Sequence, residues 1–287
     1  MLSALAGSDK ILPMADQTAT RTAELGTLDG RTGPADELSI PVTDEGLLRG
    51  DGVFEVIRVY DGTPFALDEH LDRLERSGAN LRLPNVQRAD LESEIPELLD
   101  ARGGAEFDGV LRIVVTRAGH RLLLTEPAAA KPPGVRLGIV TYAPTHVLDG
   151  IKSLSYGANM LCTRLAQERG FDEALLVTPH GRVLEGPTWS FFWVEGGQLF
   201  TPPLEDRILA SITRARLLEE CEVAQCSCTL DDLRAAEEAF IASTVREVMP
   251  IAAIDDIELP AAPGPVTQQA HARFQARVER ELAATPA

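Results

Sequence analysis

The chain has 287 residues, 44% hydrophobic and 25% charged, which is typical of a water-soluble globular protein with a sizeable core. Its formal net charge of −17 argues against nucleic acid or an anionic membrane as a partner, because both bind basic surfaces. The four cysteines are too few for a disulfide framework, and no apolar run approaches the roughly 20 residues of a membrane span. Since a signal-peptide pattern is also missing, we expect a cytoplasmic protein.

The composition along the chain predicts two domains that follow an N-terminal extension. Residues 1–22 are polar and mixed, and we expect them to be loosely ordered. Residues 23–143 would form a small N-terminal domain and residues 151–287 a C-terminal domain. The prolines and glycines of residues 144–150 indicate the connection between them.

The N-terminal half alternates strand and helix patterns. A β-rich alternation predicts a strand over residues 53–59, and leucines on one side predict a helix that starts near Asp68. A second helix is expected over residues 88–101. Residues 109–116 read as a core strand, which we expect to pair with a strand over residues 135–142.

The C-terminal half predicts a mixed α+β arrangement. A helical pattern over residues 158–169 ends at Gly170, a residue suited to the left-handed position after a helix. A further helix is expected over residues 212–220. Short β-rich runs separated by turn residues predict strands over 173–177, 183–184, 191–194, 199–200, 222–228 and 239–242.

The scarcity of lysine is the most informative feature of the composition. The chain contains 24 arginines and only three lysines, Lys10, Lys131 and Lys152. A lysine can lose its proton and form an imine with a carbonyl, whereas arginine stays protonated. Lys10 lies in the polar extension, and Lys131 lies in an Ala- and Pro-rich segment typical of a surface loop. Lys152 is therefore the candidate for amine chemistry.

Eight short segments carry a family resemblance that spans roughly residues 25–275. They are residues 49–55, 69–74, 151–154, 170–174, 181–186, 201–203, 208–214 and 243–250. In order and spacing they resemble the class IV, fold-type IV family of pyridoxal-phosphate enzymes. That family includes branched-chain and D-amino-acid aminotransferases and aminodeoxychorismate lyase.

The resemblance implies an α+β fold of two domains, a small N-terminal α/β sandwich and a larger C-terminal pseudo-barrel. It also implies pyridoxal 5′-phosphate as cofactor, in the cleft between the domains, and a homodimer.

The resemblance also assigns the two residues closest to the chemistry. Lys152 would hold the cofactor as a Schiff base and then move a proton between substrate and cofactor. Glu185 would pair with the pyridine nitrogen and keep the ring protonated. Without the resemblance, a solvated surface position fits Lys152 equally well, and it is the favoured interpretation of Glu185.

The resemblance places several further residues around the cofactor phosphate. Arg73 would supply positive charge, and a helix that starts after Ser211 would supply backbone N–H groups and a favourable dipole. The alternatives are a helix-surface salt bridge for Arg73 and a simple N-cap for Ser211. The expected cofactor-binding set is Arg73, Lys152, Tyr156, Glu185, Ser211, Ile212, Thr213 and Thr244.

Three arginines are candidates for binding a substrate carboxylate. Arg58 follows the Gly-Asp-Gly motif on its strand, Arg112 lies on the core strand over 109–116, and Arg121 lies beside His120 in a loop. Each of them is also compatible with a structural role.

The sequence analysis thus predicts a transaminase that moves an amino group from an amino acid to a 2-oxo acid through a pyridoxamine form of the cofactor. The donor could be a branched-chain or D-amino acid or an (R)-amine. The alternatives are a 4-amino-4-deoxychorismate lyase, which releases 4-aminobenzoate and pyruvate, and a cofactor-binding protein without turnover. The segment Pro187-Thr-Trp-Ser190 and Ser211 depart from the family pattern, so the substrate stays open.

Overall fold

The computed structural model describes residues 24–284, so the expected extension over residues 1–22 lies outside the described residues. Within the described range no helix is both long and apolar enough to cross a membrane. Helices and two separate β-sheets are combined in the chain, which confirms the expected α+β class.

The strands are numbered in chain order. In the first half they are β1 (Leu25–Leu28), β2 (Arg31–Pro34), β3 (Gly52–Tyr60), β4 (Thr63–Pro64), β5 (Gly109–Thr116), β6 (Arg121–Pro127) and β7 (Val135–Thr141). In the second half they are β8 (Glu173–Val177), β9 (Arg182–Val183), β10 (Ser190–Glu195), β11 (Gln198–Thr201), β12 (Val223–Gln225), β13 (Cys228–Thr229), β14 (Glu238–Ser243), β15 (Glu247–Ile254) and β16 (Ile257–Glu258).

The α-helices are α1 (Glu45–Arg49), α2 (Leu67–Asn80), α3 (Arg88–Arg102), α4 (Gly157–Glu168), α5 (Ile212–Glu220), α6 (Leu230–Ala235) and α7 (Pro265–Ala284). Single 3-10 turns occur at Ala35–Glu37, Gly104–Glu106, His146–Leu148 and Leu204–Asp206.

The first sheet has six strands in the order β2-β1-β6-β5-β3-β4. Side chains of β3 alternate between its two faces, as in any strand. Val53, Ile57 and Val59 pack against Leu71 and Leu74 of α2 in one buried core. The opposite face of β3 carries Phe54 and is free to form the wall of a site.

The second sheet has ten strands, with β7 lying between β15 and β8 and parallel to both. Helix α4 packs on β7 and β8, while α7 packs on β14 and β15. The two faces are closed by apolar clusters, one around Trp193 and Ile241 and the other around Phe192, Phe240 and Phe274. This sheet supplies the rigid support for the segments that carry Glu185 and Thr244.

The expected pairing of residues 109–116 with residues 135–142 is wrong. Strand β5 pairs with β3 and β6, whereas β7 belongs to the second sheet. Alternation identifies a strand but not its partner, and β6 was missed because its consecutive leucines do not alternate. The division into domains stays a prediction, and the position of β7 favours a boundary before residue 135 rather than at residue 143.

Candidate active site

Two adjoining cavities lie between the sheets. The smaller cavity measures about 200 Å³ and is bounded by Glu185, Ser211 and the segment 144–153. The larger cavity measures about 690 Å³ and is bounded by Phe54, Arg112 and the segment 129–132. The wall between them is formed by residues that line both cavities, namely Arg73, Lys152, Tyr156, Thr188, Ser243 and Thr244.

Lys152 is held at this wall by backbone pairing with β3. The backbone N–H of Phe54 donates to the carbonyl of Lys152 over 3.1 Å, and that of Leu154 donates to the carbonyl of Gly52 over 2.8 Å. The N–H of Lys152 itself donates to Ser77 Oγ of α2 over 3.1 Å. These bonds fix the lysine backbone, so that only its side chain is free to move in the cavity.

The surroundings of Lys152 disfavour its charged form. Its Nζ lies 4.3 Å from the ring centre of Phe54 and 5.8 Å from that of Tyr156, and although such ring faces attract a cation, burial outweighs them. Burial, together with the nearby Arg73, lowers the pKa of Lys152 to about 8. The fraction of unprotonated amine near neutral pH is therefore far larger than at the ordinary lysine pKa of 10.5, and imine formation requires that form.

Glu185 lies on the far side of the smaller cavity. Its Oε1 accepts a hydrogen bond from the backbone N–H of Leu209 over 2.7 Å. Burial raises the pKa of Glu185 to about 8, although Leu209, Lys152 and Arg214 all favour the charged form. A cationic ring nitrogen at this position would stabilise the carboxylate, and the pairing of Glu185 with that nitrogen stays a prediction.

The N-terminus of α5 closes one end of the smaller cavity. Ser211 lines the cavity and caps the helix, its Oγ accepting from the N–H of Arg214 over 3.2 Å. Ile212 and Thr213 are buried, and they contribute the backbone N–H groups of the first helical turn. Such a turn favours an anion such as a phosphate.

Arg73 reaches this end of the cavity from α2. Its Nε and Nη2 donate to the two oxygens of Glu55 over 2.6 and 2.7 Å, and its Nη1 donates to the carbonyl of Ala210 over 3.0 Å. The guanidinium is therefore anchored beside the start of α5. This is not the exposed salt bridge that the sequence alone left open.

Tyr156 and the turn after β14 complete the wall between the cavities. The Tyr156 hydroxyl donates to the carbonyl of Pro187, and its ring contacts Phe54 edge to face at 5.1 Å. Burial raises the pKa of Tyr156, so that it stays a neutral donor. Ser243 and Thr244 contribute two hydroxyl groups from the opposite side.

The larger cavity combines an apolar sheet face with two ion pairs, Arg112–Glu126 and Arg246–Glu173. Phe54 and Val56 of β3 lie opposite Val114 and Arg112 of β5, and all four line the cavity. The Arg112 guanidinium donates to both carboxylate oxygens of Glu126, over 2.5 and 3.1 Å. Carbon-rich walls beside a guanidinium suit a small organic acid.

The other two candidate arginines lie outside the walls of both cavities. Arg58 is buried, bonded to Asp108 over 2.6 Å and to the carbonyl of Gly109 over 2.8 Å. Arg121 is bonded to Glu94 of α3 over 2.5 Å. Their predicted role in substrate binding stays a prediction, and the position of Arg112 favours that residue instead.

Sequence reasoning did not assign a role to two residues that the structure brings to the site. Ser243 was missed because a serine at a strand end carries no distinctive signal. Glu55 did carry a signal in the sequence, since the alternation of β3 places its carboxylate between Val53 and Ile57 on the buried face. A charge in that position predicts a buried ionic partner.

Comparison with known proteins places the chain among relatives of similar length. Residues 52–254 match the model of the amino-transferase class IV family. The D-alanine aminotransferase of Bacillus licheniformis is 31% identical over 281 residues, covering 90% of this chain and 98% of the relative. A putative branched-chain-amino-acid aminotransferase of Methanocaldococcus jannaschii is 35% identical over 255 residues, covering 79% and 87%.

The chain belongs to the class IV aminotransferase family. Among solved structures, a branched-chain aminotransferase from Thermoproteus uzoniensis with norvaline superposes with a TM-score of 0.81 at 30% identity, over 90% of this chain and 95% of that one. Class IV aminotransferases use pyridoxal 5′-phosphate, so the predicted cofactor, enzyme class and fold type are confirmed. An aminodeoxychorismate lyase of Bacillus subtilis is also a relative, at 26% identity over 83% of this chain and 89% of the lyase.

The depressed pKa of Lys152 predicts how cofactor capture depends on pH. Only the neutral amine attacks an aldehyde, so the recombination rate of cofactor-free protein should rise with pH and level off above about 8. Glu185 titrates in the same range in the same cavity, so the inflection belongs to the pair. Stopped-flow absorbance with added pyridoxal 5′-phosphate measures the rate. An inflection near the ordinary lysine pKa of 10.5 would contradict the placement of Lys152 in this cavity.

Proposed function

We propose that this transaminase transfers an amino group from an amino acid to a 2-oxo acid across the two adjoining cavities. The observation that carries the proposal is the position of Lys152. It lies in the wall shared by a cavity suited to the cofactor and a cavity suited to a small organic acid. A donor bound in the larger cavity therefore meets the cofactor at the amine.

The smaller cavity fits pyridoxal 5′-phosphate in the chemistry of its walls. Lys152 supplies the amine, Glu185 the carboxylate for the ring nitrogen, and the N-terminus of α5 with Arg73 a site for the phosphate. Thr244 and Tyr156 add hydroxyl groups at the wall between the cavities. A protonated ring acts as an electron sink that stabilises negative charge on the substrate Cα.

Lys152 has a second proposed task once the substrate amine has displaced it. With a pKa near 8 the free amine can accept the Cα proton and return it elsewhere, as a general base and then an acid. The hydrogen bonds of its backbone to β3 and Ser77 fix the backbone of Lys152 through both steps, so that the amine stays within reach of both cavities.

We propose that Arg112 binds the substrate carboxylate, since it is the one of the three candidate arginines that lines the larger cavity. Arg112→Gln should raise KM for amino acids on the order of 10-fold to 100-fold, the effect of losing a charge-assisted hydrogen bond. KM for a matched (R)-amine, which has no carboxylate, should change little. Steady-state kinetics with both donors measure the effect.

The matched comparison is Arg121→Gln, which removes a guanidinium bonded to Glu94 instead of Glu126. If Arg121→Gln raises KM for amino acids and Arg112→Gln does not, the carboxylate site is at Arg121. An equal change for amino acid and amine in Arg112→Gln would contradict carboxylate recognition by Arg112.

Half-reactions with single compounds identify the amino donor. Adding single donors, branched-chain L-amino acids, D-alanine or an (R)-amine, to the cofactor-loaded protein and following cofactor absorbance identifies which of them transfers its amino group. The lyase alternative rests on the family relative and predicts pyruvate release from aminodeoxychorismate instead. Absence of both reactions in a protein that binds the cofactor would support loss of turnover.

A homodimer in the cytoplasm completes the proposal. Val42, Leu47 and Leu48 are 77%, 60% and 59% exposed around α1, and exposed apolar side chains that cluster in this way are typical of an interface. We expect light scattering to give twice the mass of 31.0 kDa, and the mass of one chain would contradict the dimer.

A further inference from the structure

A carboxylate that none of the roles above uses lies fully buried behind the phosphate end of the smaller cavity. Glu55 is 0% exposed, as is His70, and Arg73 is 5% exposed. His70 and Arg73 are three residues apart on α2, so their side chains project from the same face of the helix toward β3. The group joins the first sheet to the helix that packs on it.

Three hydrogen bonds from α2 reach the two carboxylate oxygens of Glu55. Arg73 Nε binds one carboxylate oxygen over 2.6 Å and Nη2 binds the other over 2.7 Å. His70 Nδ1 lies 2.8 Å from the second oxygen. The result is a bidentate pair in which the orientation of the guanidinium is set by the carboxylate.

Glu55 also determines which Arg73 hydrogens stay available. A guanidinium has five N–H groups. Two are taken by Glu55 and one by the carbonyl of Ala210, which leaves one hydrogen on each of Nη1 and Nη2. Because Ala210 directly precedes the Ser211 cap, those hydrogens lie beside the first turn of α5.

The protonation states of Glu55 and His70 favour the same hydrogen-bonding arrangement around Arg73. Burial works against the carboxylate, yet Arg73 and His70 hold the pKa of Glu55 at about 2, so the group is ionised at any physiological pH. Burial lowers the pKa of His70, which therefore stays neutral and donates from Nδ1. The Glu55–Arg73 ion pair keeps two free N–H donors, so it can bind a phosphate without any rearrangement of its own hydrogen bonds.

We propose that Glu55 is a positioning residue for the cofactor phosphate: it acts through Arg73, holding the guanidinium so that its two remaining N–H groups and the first turn of α5 bind the phosphate together. This rests on the proposed phosphate site at Arg73 and assigns Glu55 a role in cofactor affinity.

The test compares two ligands that differ only in the phosphate. Pyridoxal 5′-phosphate and pyridoxal are titrated into the full-length protein freed of its cofactor, and the ratio of their dissociation constants gives the phosphate preference. Glu55→Gln should lower this preference on the order of 10-fold to 100-fold, through weaker binding of pyridoxal 5′-phosphate alone. Competition by inorganic phosphate should weaken in parallel.

Two further variants separate positioning from stability. Glu94→Gln breaks another carboxylate–arginine pair of similar burial, 6% exposed and away from both cavities, and should leave the phosphate preference unchanged. Arg73→Lys keeps the charge but not the bidentate geometry. If Glu55 acts through Arg73, adding Glu55→Gln to Arg73→Lys should cause no further loss of preference.

The outcomes are distinct. An unchanged preference in Glu55→Gln, or equal weakening of both ligands, would overturn the positioning role and leave Glu55 a structural residue. A parent protein that binds both ligands equally would instead overturn the phosphate site at Arg73. Glu55→Asp provides the same measurement if the glutamine variant does not fold.

Discussion

Replacing Lys152 by alanine is expected to abolish transamination and the absorbance band of lysine-bound cofactor. Lys131 is the other lysine in the described range, and its Nζ is paired with Glu247 over 2.6 Å. It cannot take over, because it lines only the larger cavity, whereas Lys152 lies in the wall that both cavities share. Single-turnover absorbance and the steady-state rate measure the loss.

The matched control for this prediction is Lys152→Arg. Arginine keeps a positive charge at the same backbone position but cannot form an imine, so this variant should be equally inactive. The thermal melt of Lys152→Ala should stay close to that of the parent, because removing a half-buried cation relieves a desolvation cost. The melt of Lys152→Arg, which keeps the cation, shows whether the larger side chain is accommodated. Substantial activity in either variant would rule out Lys152 as the amine.

Replacing Glu185 by glutamine should slow the amino-acid half-reaction by about 10²-fold to 10³-fold while the cofactor stays bound. An amide has nearly the same shape as the carboxylate, and its oxygen can still accept from the N–H of Leu209. It cannot carry the negative charge that keeps the ring nitrogen protonated, so the developing charge on Cα loses its stabilisation. Stopped-flow half-reactions measure this step directly.

Glu185→Asp is the control that separates the effect of losing the negative charge from the effect of changing the side-chain geometry. It keeps the carboxylate but shortens the side chain, so its rate should lie between those of the parent and of Glu185→Gln. Two results would contradict the proposed pairing with the ring nitrogen. One is a half-reaction rate of Glu185→Gln within a few-fold of the parent rate. The other is a fall in bound cofactor that accounts for the whole fall in rate.

The local chemistry of the site was readable from the chain because it depends on residue type. Lysine scarcity pointed to Lys152, the serine before a helical pattern pointed to the cap at Ser211, and short motifs pointed to the family, which the comparisons confirm. The strand over 53–59 and the helix over 212–220 were predictable for the same reason, since periodicity and capping act over a few neighbouring residues.

Contacts between distant segments were decided only by the tertiary structure. The alternation of residues 135–142 identified a strand, but its place beside β8 in the second sheet depends on which edges remain free after β5 pairs with β3 and β6. Likewise, Arg73 and Arg121 are both paired with acids. Residue type and spacing did not separate them, whereas the structure shows that Arg73 lines both cavities and that Arg121 binds Glu94 outside them. The shifted pKa values of Lys152 and Glu185 follow from burial, a property that only the packing of two sheets around the cavities creates.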